Sequence, residues 1–172
     1  MTKRSPITVA GAGNWMITHD RVGPRVIEMI EGRYPDDVEI CDLGAGGLSL
    51  LDELHGQELL LVVDACVGFG EPGEVLVVEP ELDDSVLQGM SVHQVGPVEA
   101  LVVTRHLWPE RLPRRVLLVL IETGGLDGEM EREACEEAVR LLDRHIEECR
   151  RGLDEGPGRA GCPGPVERRV SW

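Results

Sequence analysis

Residues 59–63 are apolar at every position, so this segment has no side to turn toward water. A strand of that kind is buried on both faces and requires a sheet with helices packed above and below it. Short aliphatic runs at 7–10, 38–43, 74–79 and 116–121 alternate with stretches of helical period. The pattern predicts a three-layer α/β sandwich around a mostly parallel, five-stranded sheet with helices on both faces. Helices are expected over 22–34, where Val22, Val26, Ile27 and Ile30 share one side, from Leu48 to about His55, and from Pro97 to about Trp108. A longer one is expected over 130–149, where Met130, Ala134, Ala138, Leu141, Leu142, His145 and Cys149 recur at spacings of three and four.

Aromatic residues make up only 3% of the chain, so the core has to be built from Val, Leu, Ile and Ala. At 172 residues the length suits one domain, read here as residues 1–151. Beyond Gly152 the composition turns to Gly, Pro and Arg without a repeating apolar face, and residues 152–172 are read as a flexible tail. The formal net charge of −15 argues against nucleic acid and anionic lipid as partners. The aliphatic runs fall far below the roughly 20 residues that cross a bilayer, so no membrane association is expected. Five scattered cysteines without a CxxC pair read as reduced thiols, and no export segment is evident, which together indicate the cytoplasm. No heptad seam appears, and a monomer is favoured.

Three polar residues stand where buried strands should end: Asp20 in GAGNWMITHDRVG, Asp64 closing LLLVVDA, and His93 in MSVHQVG. In open parallel sheets ligands collect beyond the carboxyl ends of the strands. Two carboxylates and an imidazole suit nickel or zinc better than calcium. Each residue also has an ordinary reading: Asp20 as a helix cap, Asp64 as the anchor of a turn, His93 as an exposed loop residue. The glycine-rich stretch Gly44, Ala45, Gly46, Gly47 after Asp42 reads either as a strand-to-helix turn or as a place where a substrate backbone approaches closely. GAGN after a first strand imitates a dinucleotide-binding start, but the third glycine of GxGxxG would fall at Met16.

In order along the chain, GAGNWMITHDRVGPRVIE, VEICDLGAGGLSLL, LLLVVDA and MSVHQVG resemble the endopeptidases that mature the large subunit of nickel-iron hydrogenases. The resemblance covers residues 7–150. It implies an aspartic-type endopeptidase that removes a carboxy-terminal extension from a nickel-loaded large-subunit precursor. It assigns metal contact to Asp20, Asp64 and His93, with Asp20 or Asp64 as proton carrier; Asp42, Gly44, Ala45, Gly46 and Gly47 are the candidate substrate contact, Asn14 is a supporting position, and His19 is read as a further ligand, a supporting partner or a solvent-facing substitute. It implies no permanently bound cofactor: the nickel comes with the precursor, and zinc or cadmium can stand in for it. Departures from the family pattern are Ala45 in place of a Thr, His19 in place of the first acid of a pair, and Ile121–Gly125, IETGG, in place of an IEP-like ending. An escort protein that binds the precursor without cutting it is the alternative on the same fold.

Overall fold

The computed structural model describes residues 4–88 and 95–154, together with the backbone of residues 168–170. Its sheet has the strand order β2-β1-β3-β5-β4-β6, with β1 Ile7–Ala12, β2 Val38–Gly44, β3 Leu59–Cys66, β4 Val75–Pro80, β5 Val116–Glu122 and β6 Arg168–Val170. The pairs β1–β2, β1–β3 and β3–β5 are parallel, and β4 runs antiparallel to β5. The helices are α1 Val22–Ile30, α2 Leu50–Glu53, α3 Pro97–Leu107 and α4 Gly128–Asp154.

Alternate residues of the central strands feed two separate cores, as the pleat requires. Leu59, Leu61 and Val63 of β3 pack with Leu117 and Val119 of β5 under α1 and α4. Leu60 and Val62 pack with Leu118 and Leu120 on the other face, under α2 and α3. This is the three-layer sandwich expected from the run at 59–63. Buried Thr8, the one polar side chain facing out of β1, accepts a hydrogen bond from Gln57 Nε2 at 3.1 Å.

Three details differ from the sequence-based expectation. Helix α1 stops at Ile30 rather than near Tyr34, because Gly32 takes a φ of +70° and turns the chain. Helix α4 continues to Asp154, three residues beyond the expected end of the domain. The sheet has a sixth strand, since residues 168–170 pair in parallel with Val78, Glu79 and Pro80 of β4. An edge strand offers unpaired backbone donors and acceptors, and these three residues satisfy some of them; a segment this short carries no aliphatic run to announce it.

The start of α1 is tied to α4 by a buried carboxylate. Glu131 accepts from Arg21 at 3.0 and 2.8 Å and from Arg25 at 2.8 Å, and its side chain is 3% exposed. Arg21 directly follows Asp20, so this cluster fixes the point where the β1 loop enters its helix. The two guanidinium groups hold the Glu131 carboxyl below its usual range, the hydrogen bond from Arg21 contributing most. A lowered native pKa means stabilisation that is present above the ordinary carboxylate value and is lost as pH falls through the native one. Glu131→Gln should therefore lower the denaturation midpoint at neutral pH, and the gap from the wild type should close in strongly acidic buffer, as read by urea melts at several pH values.

Candidate functional site

The strand order reverses between β1 and β3: the chain passes from β1 out to β2, then returns to the other side of β1. At such a switch point the connecting helices leave in opposite directions, and a crevice opens beyond the carboxyl ends of the strands. Asp20 lies in the loop after β1, and Asp64 lies in β3 immediately after Val63, which is in register with Gly11. The topology thus brings Asp20 and Asp64 to one rim. Each acts electrostatically on this rim: Asp64 has its pKa pushed up to about 6, chiefly by burial and further by the negative charges of Asp20 and Glu99, against a stabilising bond from the Ala65 N–H. That bond is 2.8 Å long.

Asp20 is not a helix cap. The N-terminus of α1 has no side-chain cap, and the Asp20 carboxylate instead accepts from the backbone N–H of Asn14 at 3.0 Å. The Asn14 side-chain oxygen accepts in turn from Met16 N–H at 2.9 Å. Gly13 makes the closure possible: it has a φ of +134°, and a Cβ there would lie 1.9 Å from the Asp20 carbonyl oxygen. Asn14 therefore supports Asp20 directly, whereas His19 is exposed.

Asp42 is exposed and accepts from Gly44 N–H at 2.9 Å, which closes the turn after β2. That is its ordinary structural role. Within the glycine run, Gly47 is buried, its N–H donates to the Val95 carbonyl at 2.9 Å, and a Cβ would lie 2.2 Å from the Gly96 carbonyl carbon. Gly47 is thus a glycine for packing, because it lets the backbone entering α3 reach the β2 turn. Gly46 differs. It is exposed, has a φ of −125°, and a Cβ there would meet no described atom within 4 Å. Ala45 beside it is exposed as well. His93 lies outside the described residues. Among the described residues no three His, Cys, Asp or Glu side chains gather in a metal-holding group.

A cavity of about 300 Å³ opens beside Asp64, walled by Cys66, Phe69, Val98 and Leu118, with Glu99 also at its lining. Two of the site's carboxylates escape sequence reasoning. Glu99 looks like an ordinary acid in the first turn of a helix. Glu122 closes the fully buried strand β5 just as Asp64 follows the aliphatic part of β3, and that parallel was the available signal. Glu122 is 2% exposed, and its carboxylate accepts from Phe69 N–H at 2.8 Å, Gly70 N–H at 3.3 Å and Gly124 N–H at 3.0 Å. These bonds, led by that from Phe69, hold its carboxyl below the usual range. The glycine-rich turn at 121–125 is thus the anchor of the loop that walls the cavity.

Other chemistries find no support at this rim. Burial raises the Cys41 and Cys66 thiols to about 12 and Cys135 to about 11, far from the thiolate range of a nucleophile. The GAGN glycines are consumed by internal contacts, since a Cβ on Gly11 would strike Ile27 and Gly23, and helix α1 begins only at Val22. No pyrophosphate cradle stands before the helix, so the dinucleotide reading lapses.

A doubly wound α/β protein with acids gathered at its switch point is a broad class, and comparison with known proteins narrows it. The family model described as hydrogenase maturation protease matches residues 24–149. Hydrogenase 2 maturation protease of Escherichia coli (strain K12) is 32% identical over 117 residues, covering 66% of this chain and 70% of that one. Hydrogenase expression/formation protein HupM of Azotobacter chroococcum mcd 1 is 33% identical over 136 residues, covering 74% and 62%. Among solved structures, the hydrogenase maturating endopeptidase HybD from E. coli superposes with a TM-score of 0.66 at 28% identity, covering 83% of this chain and 92% of that one. The chain belongs to the hydrogenase maturation protease family. Among the described residues no helix is long and apolar enough to cross a membrane.

Asp64 gives a stability test of function against structure. Its raised pKa means that the protonated form favours folding below the ordinary value near 3.8, and that this contribution is lost as pH rises toward about 6. Asp64→Asn keeps the shape without the charge. It should be more stable than the wild type at pH 7, by about 1–3 kcal/mol, with the difference disappearing below pH ~4. A variant less stable at pH 7 in thermal melts would mark Asp64 as a structural anchor.

Proposed function

We propose that this protein is the endopeptidase that removes the carboxy-terminal extension of a nickel-iron hydrogenase large-subunit precursor once that precursor holds nickel. The observation that carries the reading is the convergence of Asp20 and Asp64 at the switch point, with Asp64 held in surroundings that oppose its charge. The groups acting on Asp64 besides the Ala65 N–H are anionic, so a cation brought to this rim relieves the repulsion. His93 supplies the third contact.

The nickel belongs to the substrate. Three groups from this chain leave coordination positions open for an ion already held by the precursor, so recognition of the metal serves as a checkpoint. A precursor-borne ion near the cut bond polarises its carbonyl as a Lewis acid. Asp64, whose charge its surroundings oppose, is the proton carrier in this reading in preference to Asp20, and the resemblance groups the enzyme with the aspartic-type endopeptidases. Gly46, a glycine that no described neighbour requires, receives the substrate backbone next to Ala45 and Asp42. The protein acts in the cytoplasm as a monomer, with no resident cofactor.

The test is to incubate the purified protein with nickel-loaded and with nickel-free large-subunit precursor and to weigh the large subunit afterwards. Shortening is expected only in the loaded sample. Asp64→Ala should abolish it, a loss of at least about 100-fold, while remaining folded by circular dichroism. Normal processing by Asp64→Ala would overturn the assignment, and binding of the loaded precursor without any shortening would make the protein an escort.

A further inference from the structure

Six large apolar side chains stand exposed on the loops that follow β1, β2 and β3: Trp15, Met16 and Ile17 after β1, Leu48 after β2, and Val67 and Phe69 after the last ladder residues of β3. These strands are neighbours in the order β2-β1-β3, so their ends lie about 5 Å apart from one strand to the next. The exposed residues therefore share the rim that carries Asp20 and Asp64. Met16 is 90% exposed and Val67 66%. Single exposed apolar residues are ordinary, whereas several gathered on one rim mark a surface that meets a partner.

The loops are also fixed. Asp20 and Asn14 bond the backbone of the first loop at Asn14 and Met16, and Ile17 N–H donates to the Asn14 carbonyl at 3.0 Å. Buried Glu122 bonds Phe69 and Gly70 in the third. An unneeded apolar side chain is free to fold back against the protein when its loop is loose. Here backbone bonds fix the first and third of these loops while their apolar side chains remain exposed, an arrangement that lowers the ordering penalty of binding.

We propose that Trp15, Met16, Ile17, Leu48, Val67 and Phe69 form a preorganised apolar collar on which the folded body of the hydrogenase precursor docks, so that the protease recognises an apolar surface surrounding a bound cation rather than the extension alone. The proposal rests on the function proposed above. Charge selects this occupant over a second copy of the chain. The collar shares its rim with the acidic residues Asp20 and Asp64, and a two-fold dimer through it would set those carboxylates against their own copies in a molecule of net charge −15. A cation framed by apolar side chains is complementary to both parts of the surface.

The experiment measures binding and cutting separately, using nickel-loaded precursor and full-length protein. The double variant Met16→Ser with Val67→Ser alters only side chains that face water, so it should fold, and it should bind the precursor about tenfold more weakly. Leu107→Ser, an exposed apolar residue at the far end of α3, serves as the control and should bind as the wild type does. Glu122→Gln, which weakens the bracing of Phe69, should also loosen binding and should speed hydrogen exchange at the Phe69 and Gly70 amides. Equal affinity of the double variant and the wild type would overturn the collar, as would a wild-type dimer that the double variant dissolves while precursor affinity stays unchanged. Wild-type binding that the double variant loses supports the collar even where no cutting occurs, and in that case the protease reading alone fails.

Discussion

The parallel pairing of β1 with β3 governs both the fold and the site. With both faces of these strands buried, nearly every side chain along them is apolar and committed to one of the two cores, and carboxylates find room only at the strand ends. Because β2 and β3 lie on opposite sides of β1, the chain departs to opposite faces from adjacent positions, and a crevice forms between the departing segments. Asp64 occupies the first position of β3 past its unbroken aliphatic stretch, and Asp20 closes the loop that leaves β1. Their meeting is a consequence of topology: moving Asp64 two positions toward the middle of β3 would bury it in hydrocarbon.

The same constraint separates what the sequence discloses from what it conceals. Strand β3 is legible because five consecutive apolar residues admit no half-exposed alternative, and the helices over α1 and α4 are legible because their apolar positions recur with helical period. The rim positions of Asp20 and Asp64 follow from that layout by the strand-end rule alone. Strand β6 is concealed because three residues against an edge need no hydrophobic pattern of their own. Glu99 is concealed because an acid in the first turn of a helix is commonplace, and its importance arises only from the distant residue that faces it. Of the glycines in the β2 turn, the sequence cannot separate Gly47, which lets two backbones touch, from Gly46, which has open space around it.

Carboxylates carry three different burdens here, and their surroundings tell them apart. Glu131 is buried among arginines and held ionised, which is the state of a structural tie. Glu122 is buried among backbone N–H groups and is likewise held ionised, as the brace of a loop. Asp64 receives one N–H and otherwise faces burial and anions, so its charged form is disfavoured. A residue whose charge its surroundings oppose, and which is nonetheless positioned by the strongest element of the fold, fits the proposed role of meeting a cation from outside. Of the three, only Asp64 has that property.

That asymmetry also bears on how a protease of this kind avoids cutting the wrong chain. An acidic rim repels anionic segments and opposes the charge of Asp64, so in the proposed function the site is weakly disposed to act on a peptide that brings no positive charge. Under the proposed function, a substrate that delivers an ion corrects the electrostatics and completes the ligand set in one event. On that reading specificity arises from a deficit in the enzyme that the correct substrate makes good, and the proposed apolar collar restricts the delivery to a partner whose surface fits around the ion.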